Sequence, residues 1–428
     1  MDRRNFLKGL GAAALTSALA PAALARGTDK PESGKGKKAT ESNGKVVLPA
    51  WTHGGASTAA NAMLMFRGNP THTFYGTGPI PSSKPEIRWK YRMEDFESLY
   101  YGKPFTWRGT GWTGQPLYYA GHVWVGSQGR NIYCFDANNG DLKWRYQCPR
   151  QIKGTGCIWD NKLYIGCVDD HLRCFDAATG EVLWRLNTGY DLDSSPCVVD
   201  SKLFIAGENG HARCLDPKTG EKIWKTFVGG INRGEKTGSY GSETSPAIAD
   251  GEFYTATYDG ELFSLDAKTG EKRWMAKTGD DTDASPVIAG PLVYVAAEDK
   301  SPYLFAFHRK DGKLAWKHKA KGGYWGTPAV VGDTVYIGSA GGKLDALDAA
   351  SGKVRWTFDL GASTWASPAV VDGKILIGDF DGRFHCVNAS DGKSLWTMKL
   401  GGRIHSTAIA IGGRIFIGST DGWFFGIG

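Results

Sequence analysis

From about residue 86 onward the chain alternates between short apolar runs and polar turns at close, regular intervals. Runs such as LFIAG (203–207), VYIGS (335–339) and ILIGD (375–379) are too short for helices and have the character of buried strands. Turns containing Gly separate them, among them Asp259-Gly260, Asp381-Gly382 and Asp421-Gly422, and Asp-Gly pairs favour tight hairpins. A second element recurs in step, a Gly-containing turn followed by a strand that carries tryptophan. AATGEVLW ends at Trp184, PKTGEKIW at Trp224, AKTGEKRW at Trp274, ASGKVRW at Trp356 and ASDGKSLW at Trp396. ANNGDLKW and KDGKLAW add Trp144 and Trp316, and PEIRW adds Trp89. The eight tryptophans stand 55, 40, 40, 50, 42, 40 and 40 residues apart. About four short strands fit into each interval, which is one blade of a propeller.

The two ends of this pattern complement each other. After Trp396 the runs STAIAI, RIFIG and WFFGIG supply three strands, whereas IRWKY (87–91) has no three strands before it. Pairing them closes the ring and removes an open edge that would invite aggregation. The predicted fold is therefore all-β: an eight-bladed β-propeller over residues 86–428, closed by an N-terminal strand that completes the C-terminal blade.

Composition agrees with this and narrows the function. The 428 residues include 59 Gly and 16 Trp, with 41% hydrophobic and 22% charged residues, a turn-rich globular mixture. No apolar run is long enough to span a bilayer. Of the formal charge of +7, residues 1–25 carry a net +2 and residues 26–45 a net +3. The little that remains is spread over a large surface and offers no footprint for nucleic acid. Residues 1–25 combine the basic MDRRNFLK with a mildly apolar stretch and a small-residue end, and Arg3-Arg4 followed by Phe6-Leu7-Lys8 resembles a twin-arginine export signal. Residues 26–50 read as a flexible polar linker and 51–85 as a non-repeating cap or strap. A periplasmic or secreted monomer is expected.

The recurring Asp-x-x-Thr-Gly-x-x-x-Trp resembles the tryptophan-docking repeat of the pyrroloquinoline-quinone (PQQ)-like propellers, over residues 86–428, and FRGNP (66–70) is similar to the segment that precedes many of them. The resemblance implies two kinds of relative: quinone-dependent dehydrogenases, and the propeller subunit of the outer-membrane β-barrel assembly machinery with its non-enzymatic kin.

The repeat itself sorts scaffold from candidate function. Trp89, Trp144, Trp184, Trp224, Trp274, Trp316, Trp356 and Trp396 are expected to pack between blades. Asp136, Asp176, Asp216, Asp266 and Asp348 share one repeat position suited to local side-chain-to-backbone bonds. Cys134, Cys174, Cys214 and Cys386 share a position that elsewhere holds Ser264, Ala306, Ala346 or Gly426, a tight packing site. Cys157 and Cys197 match each other, while Cys148 and Cys167 are singletons. There is no metal-ligand spacing among the cysteines, and the disulfide connectivity stays open. Quinone-dependent alcohol dehydrogenases carry two adjacent cysteines beside the cofactor, and this chain has no Cys-Cys pair.

One position escapes repetition. Three residues before the proline of each Ser-Pro or Thr-Pro pair, or its equivalent, stand Thr113, Lys153, Asp193, Glu243, Asp283, Trp325, Trp365 and His405. At the start of the innermost strands these would ring one mouth of the channel, an acidic arc preceded by Lys153 and followed by aromatic and basic residues including Arg403. Asp191 and Asp281 stand two residues ahead of the arc. Asp193, Glu243 and Asp283 are candidate oxygen ligands for Ca²⁺, and the ring as a whole is a candidate grip for a polar, planar molecule. Two longer loops, 93–112 and 229–242, should overhang the same mouth.

Three functions remain open. The first is a non-enzymatic binding or scaffold propeller acting on an envelope protein or glycan, and it is favoured. The second is a periplasmic quinoprotein oxidoreductase using PQQ and Ca²⁺ at the channel mouth. The third, hydrolysis by paired carboxylates, has only the acidic arc in its favour.

Overall fold

The structure is a computed structural model that describes residues 30–34, 38–44, 46–53, 61–100, 102–111, 114–229 and 241–428. The signal-like residues 1–25, Thr113 and most of the loop 229–242 lie outside them. Eight antiparallel four-stranded sheets follow one another, at Leu117–Gln147, Cys157–Asn187, Cys197–Phe227, Ala247–Lys277, Val287–Lys319, Ala329–Asp359, Ala369–Lys399 and, for blade 8, Ile409–Ile427 with Ile87–Arg92. The closing strand pairs antiparallel with Trp423–Ile427, setting Trp89 across from Gly426. No helix occurs among the described residues.

The repeat motif is explained by what each tryptophan meets. Within its blade each indole lies opposite the small repeat residue: Trp144 opposite Cys134, Trp184 opposite Cys174, Trp274 opposite Ser264 and Trp316 opposite Ala306. A side chain at Gly426 would begin 2.3 Å from the Trp89 ring, so the position admits nothing large. Towards the next blade the indole N–H donates to a carbonyl just after the repeat aspartate, as in Trp144 to Ala177 (3.1 Å), Trp224 to Ala267 (3.0 Å) and Trp316 to Ala349 (2.9 Å). Blade 8 lacks that turn, and Trp396 donates instead to Pro81 at 2.9 Å. The indole face covers the next blade's turn glycine: a Cβ on Gly180 would sit 2.6 Å from Trp144. The repeat aspartates cap their own turns, Asp176 and Asp266 each accepting two backbone N–H groups at 2.9–3.0 Å.

A second stitch runs around the channel. The backbone N–H of Thr155 donates to the Ser195 hydroxyl (2.9 Å), Ser195 to Ser245 (3.1 Å), Ser245 to Ser285 (2.9 Å), Ser285 to Thr327 (3.0 Å) and Thr327 to Ser367 (2.9 Å). The Ser-Pro and Thr-Pro pairs thus fasten each innermost strand to the one before it.

Residues 61–80 run across the innermost strands. Met63 pairs with Tyr118, Ile248 N–H donates to the Pro70 carbonyl (2.8 Å) and Ile288 N–H to Thr71 (3.0 Å). The fully buried Arg67 guanidinium donates to the carbonyls of Pro328 and Pro368, both at 2.8 Å, and lies over the Tyr75 ring. These carbonyls take up both Nη groups of the buried cation, and among the described residues its Nε finds no acceptor. Where composition suggests a flexible tether over 26–50, two dipeptides add short fifth strands: Glu41–Ser42 to blade 1 and Glu32–Ser33 to blade 2. The open outer edges offer unpaired backbone groups, and Arg145 and Arg185 draw in Glu41 and Glu32.

Candidate functional site at the channel mouth

Each described residue of the irregular ring, from Lys153 to His405, sits where the chain drops from an outermost strand to the next innermost one. The following position is small in every blade because the neighbouring lead-in crosses it closely. A Cβ on Gly154 would lie 2.5 Å from the Asp193 carbonyl, and one on Gly326 2.6 Å from that of Ala366. A second strand ends against this lead-in, and its backbone fixes the spacing: Glu208 N–H donates to Asp191 (3.3 Å), Glu298 to Asp281 (3.1 Å) and Phe380 to Ser363 (2.9 Å). The residues so placed, fifteen positions after each ring residue, form a second ring of Gln128, Val168, Glu208, Tyr258, Glu298, Ala340, Phe380 and Thr420.

The acidic arc is buried. Lys153 pairs with Asp193, and both side chains are nearly inaccessible. Carboxylate oxygens of Asp193, Glu208 and Glu243 lie within 4.8 Å of one another, and those of Asp281, Asp283 and Glu298 do likewise. The three expected ligands are thus divided between two triads, each completed by a second-ring glutamate that ring position alone does not reveal. Glu243 also contacts Asp283, so the triads adjoin. The Tyr258 hydroxyl donates to Glu243. Among the described residues Asp283 Oδ1 finds no hydrogen-bond donor, although the side chain is buried.

So many carboxyls out of water hold their protons more tightly. Burial, then Asp193, pushes Asp191 up to about 7. Burial raises Glu208 well above the carboxylate range, with Asp193 and Glu243 adding to the effect. Asp283 moves the same way, through burial and then Glu243 and Glu298.

The aromatic arc is continuous. Trp325 stacks on Trp365 with centroids 5.2 Å apart, and Trp365 meets His405 at 5.2 Å. Phe380, from the second ring, closes against both Trp365 (5.0 Å) and His405 (4.7 Å). The exposed Arg403 guanidinium lies 5.0 Å over the Phe380 ring. Burial, with Arg403 nearby, holds the His405 imidazole down at about 3, so it is neutral.

The missed residues Glu208, Tyr258, Glu298 and Phe380 carry the same signal as the first ring, variation at one fixed repeat position. It becomes readable only once strand pairing shows that this position also faces the mouth. Within the longer loop 93–112, Phe96–Tyr100 and Lys103–Trp107 pair as an antiparallel hairpin.

Donor type decides what such a site can hold. Among the described residues its acidic side offers carboxylate oxygens with the one ammonium of Lys153, a set suited to a hard cation. Stacked indoles beside it offer a face to a planar or cationic group. Eight cysteines are buried, and none provides an adjacent pair.

A comparison of the sequence with curated proteins returns no match. Among solved structures, quinohemoprotein alcohol dehydrogenase ADHIIG from Pseudomonas putida HK5 is 16% identical with a TM-score of 0.72, covering 89% of this chain and 83% of its own. A europium-containing methanol dehydrogenase is 15% identical with a TM-score of 0.68, over 85% and 90% of the two chains. BamB from Moraxella catarrhalis is 18% identical with a TM-score of 0.61, over 79% and 99%. At these identities the likeness is one of fold. Residues 86–240 and 208–427 match the family model described as outer membrane protein assembly factor BamB. With nearly the whole propeller matched, the chain belongs to that family of PQQ-like repeat propellers.

Proposed function

We propose that this chain is an exported, non-enzymatic binding propeller of the cell envelope, and that it captures an envelope protein or glycan through a cation held at the channel mouth. The observation that carries this reading is the pair of adjoining carboxylate triads, with Asp283 Oδ1 buried and lacking a donor among the described residues. Asp193, Glu208, Glu243, Asp283 and Glu298 would hold the ion, and Ca²⁺ suits an all-oxygen set. The ion would supply positive charge at a mouth otherwise too acidic to accept an anionic group of a partner. Trp325, Trp365 and Phe380 would supply the contact surface beside it.

The alternative is a periplasmic quinoprotein oxidoreductase. It is favoured by the same oxygen donors and by the fold shared with the dehydrogenases. A quinone would supply a two-electron acceptor. The residues fit that group poorly: the centroids of Trp325 and Trp365 are 5.2 Å apart, which leaves no gap between them for a planar ring. There is also no adjacent cysteine pair to cap one.

Thermal melting and absorption spectra of the purified chain with Ca²⁺, with PQQ, and with both separate the two. Calcium alone is expected to raise Tm, and PQQ to add no further shift and no spectral change. A PQQ spectrum that changes only with the protein and Ca²⁺ present would favour the oxidoreductase.

A further inference from the structure

Cys148 and Cys167 belong to no shared repeat position, yet the fold brings them together. Cys148 follows the outermost strand of blade 1, at the root of the segment that carries Lys153 to the mouth. Cys167 ends the second strand of blade 2. Both are buried in one apolar cluster, and their thiols lie within hydrogen-bonding contact. The Cys167 thiol also reaches the carbonyls of Arg150 and Gln151, at 3.3 and 3.2 Å. The connection is held in place by Cys148 N–H donating to Arg130 (2.8 Å) and Val168 N–H donating to Gln151 (3.0 Å).

The surroundings differ from those of the other cysteines. Cys148 lines a cavity of about 450 Å³ with Arg130, Tyr146, Asp169, His171 and Arg173. The Arg173 guanidinium, ion-paired with Asp169, lines the same cavity, while burial and then the neighbouring Cys148 push the Cys167 thiol well above its ordinary range. A second thiol in contact and a cavity open beside Cys148 set this pair apart from the isolated buried cysteines. The repeat cysteines, such as Cys134 and Cys174, face tryptophans instead.

We propose that Cys148 and Cys167 form a disulfide that clamps blade 1 to blade 2 when the chain meets an oxidising disulfide. A cysteine thiolate attacks one sulfur of a small disulfide such as oxidised glutathione and expels one glutathione thiolate. The second cysteine thiolate then attacks the protein-bound sulfur of the mixed disulfide and expels the other. One disulfide is reduced as one is formed, and the two cysteine protons end on the two glutathione thiols. The arginines around the cavity favour entry of an anionic disulfide of this kind.

The test counts thiols on the full chain. Reduced protein is incubated with oxidised glutathione, quenched with acid, unfolded and alkylated. Six of the eight cysteines are expected to be alkylated, with one bridged peptide pair carrying Cys148 and Cys167. Alkylation of all eight, or bridging through any other pair, would overturn the proposal. In C148A or C167A, neither of which can form this bridge, no protein–protein bridge should appear, and the remaining cysteine of the pair should be found either alkylated or as its mixed disulfide with glutathione, with the other six alkylated. A bridged peptide pair in either variant would also overturn it. Reduction of the bridged protein should lower its Tm by roughly 2–4 °C if the clamp restrains the unfolded chain.

Discussion

At the level of single residues, the channel mouth depends on carboxyls crowded beyond what Lys153 compensates. Glu243 is central, since it belongs to one triad and contacts the other. Glu243→Gln keeps the shape and leaves an acceptor for the Tyr258 hydroxyl, but removes one buried charge. Without added metal the variant should melt slightly higher than the wild type, by about 1–2 °C, because like charges are relieved. Its affinity for Ca²⁺ should fall at least about tenfold, or about 1.4 kcal/mol. Calorimetry and melting curves on the same preparation check both. An unchanged affinity would mean that Glu243 does not reach the ion.

At the level of the blade, the motif Thr-Gly-x-x-x-Trp is a joint between neighbours. Its glycine turns with positive φ under the preceding blade's indole. Gly180 (φ 69°) has Trp144 against it, whereas Gly373 (φ 66°) faces open space. Gly180→Ala should therefore cost about 1–3 kcal/mol more than Gly373→Ala, which meets only backbone strain. Urea unfolding of the two variants measures the difference. This joint was legible in the sequence because blade packing repeats and so leaves a period. The first ring was legible as the place where the period fails. Glu208, Tyr258, Glu298 and Phe380 were not, since their side of the strand depends on pairing with the next lead-in. The contact between Cys148 and Cys167 was invisible for the same reason: each stands alone in the repeat, and only the meeting of two blades joins them.

At the scale of the whole molecule, closure rests on one strand far from its partner in sequence. A chain begun at Met93 would lack Ile87–Arg92 and leave Trp423–Ile427 with an open edge. Size-exclusion chromatography should then show oligomers, and melting should lose its single sharp transition. The closed ring also gathers acidic residues from blades 3, 4 and 5 into one buried cluster, and that gives the mouth a pH signature. Asp191 titrates at about 7 in the fold, above the ordinary aspartate value of 3.8, so between those values the folded chain holds more protons than the unfolded one. Its contribution to stability is greatest below pH 4 and is lost as pH rises through about 7; Glu208 and Asp283 act in the same direction. His72 and His405, both held down at about 3 by burial, act oppositely below 6.5. Their opposing effect makes proton release on metal binding, rather than the melting profile alone, the clean reading of the cluster. The most direct measurement is calcium calorimetry at pH 6 in two buffers of different ionisation enthalpy. Binding accompanied by release of about one proton per ion, diminishing at pH 8 and in Glu243→Gln, is the expected result. Absence of binding heat in both buffers, with Tm unmoved by calcium, would contradict a cation site at the channel mouth.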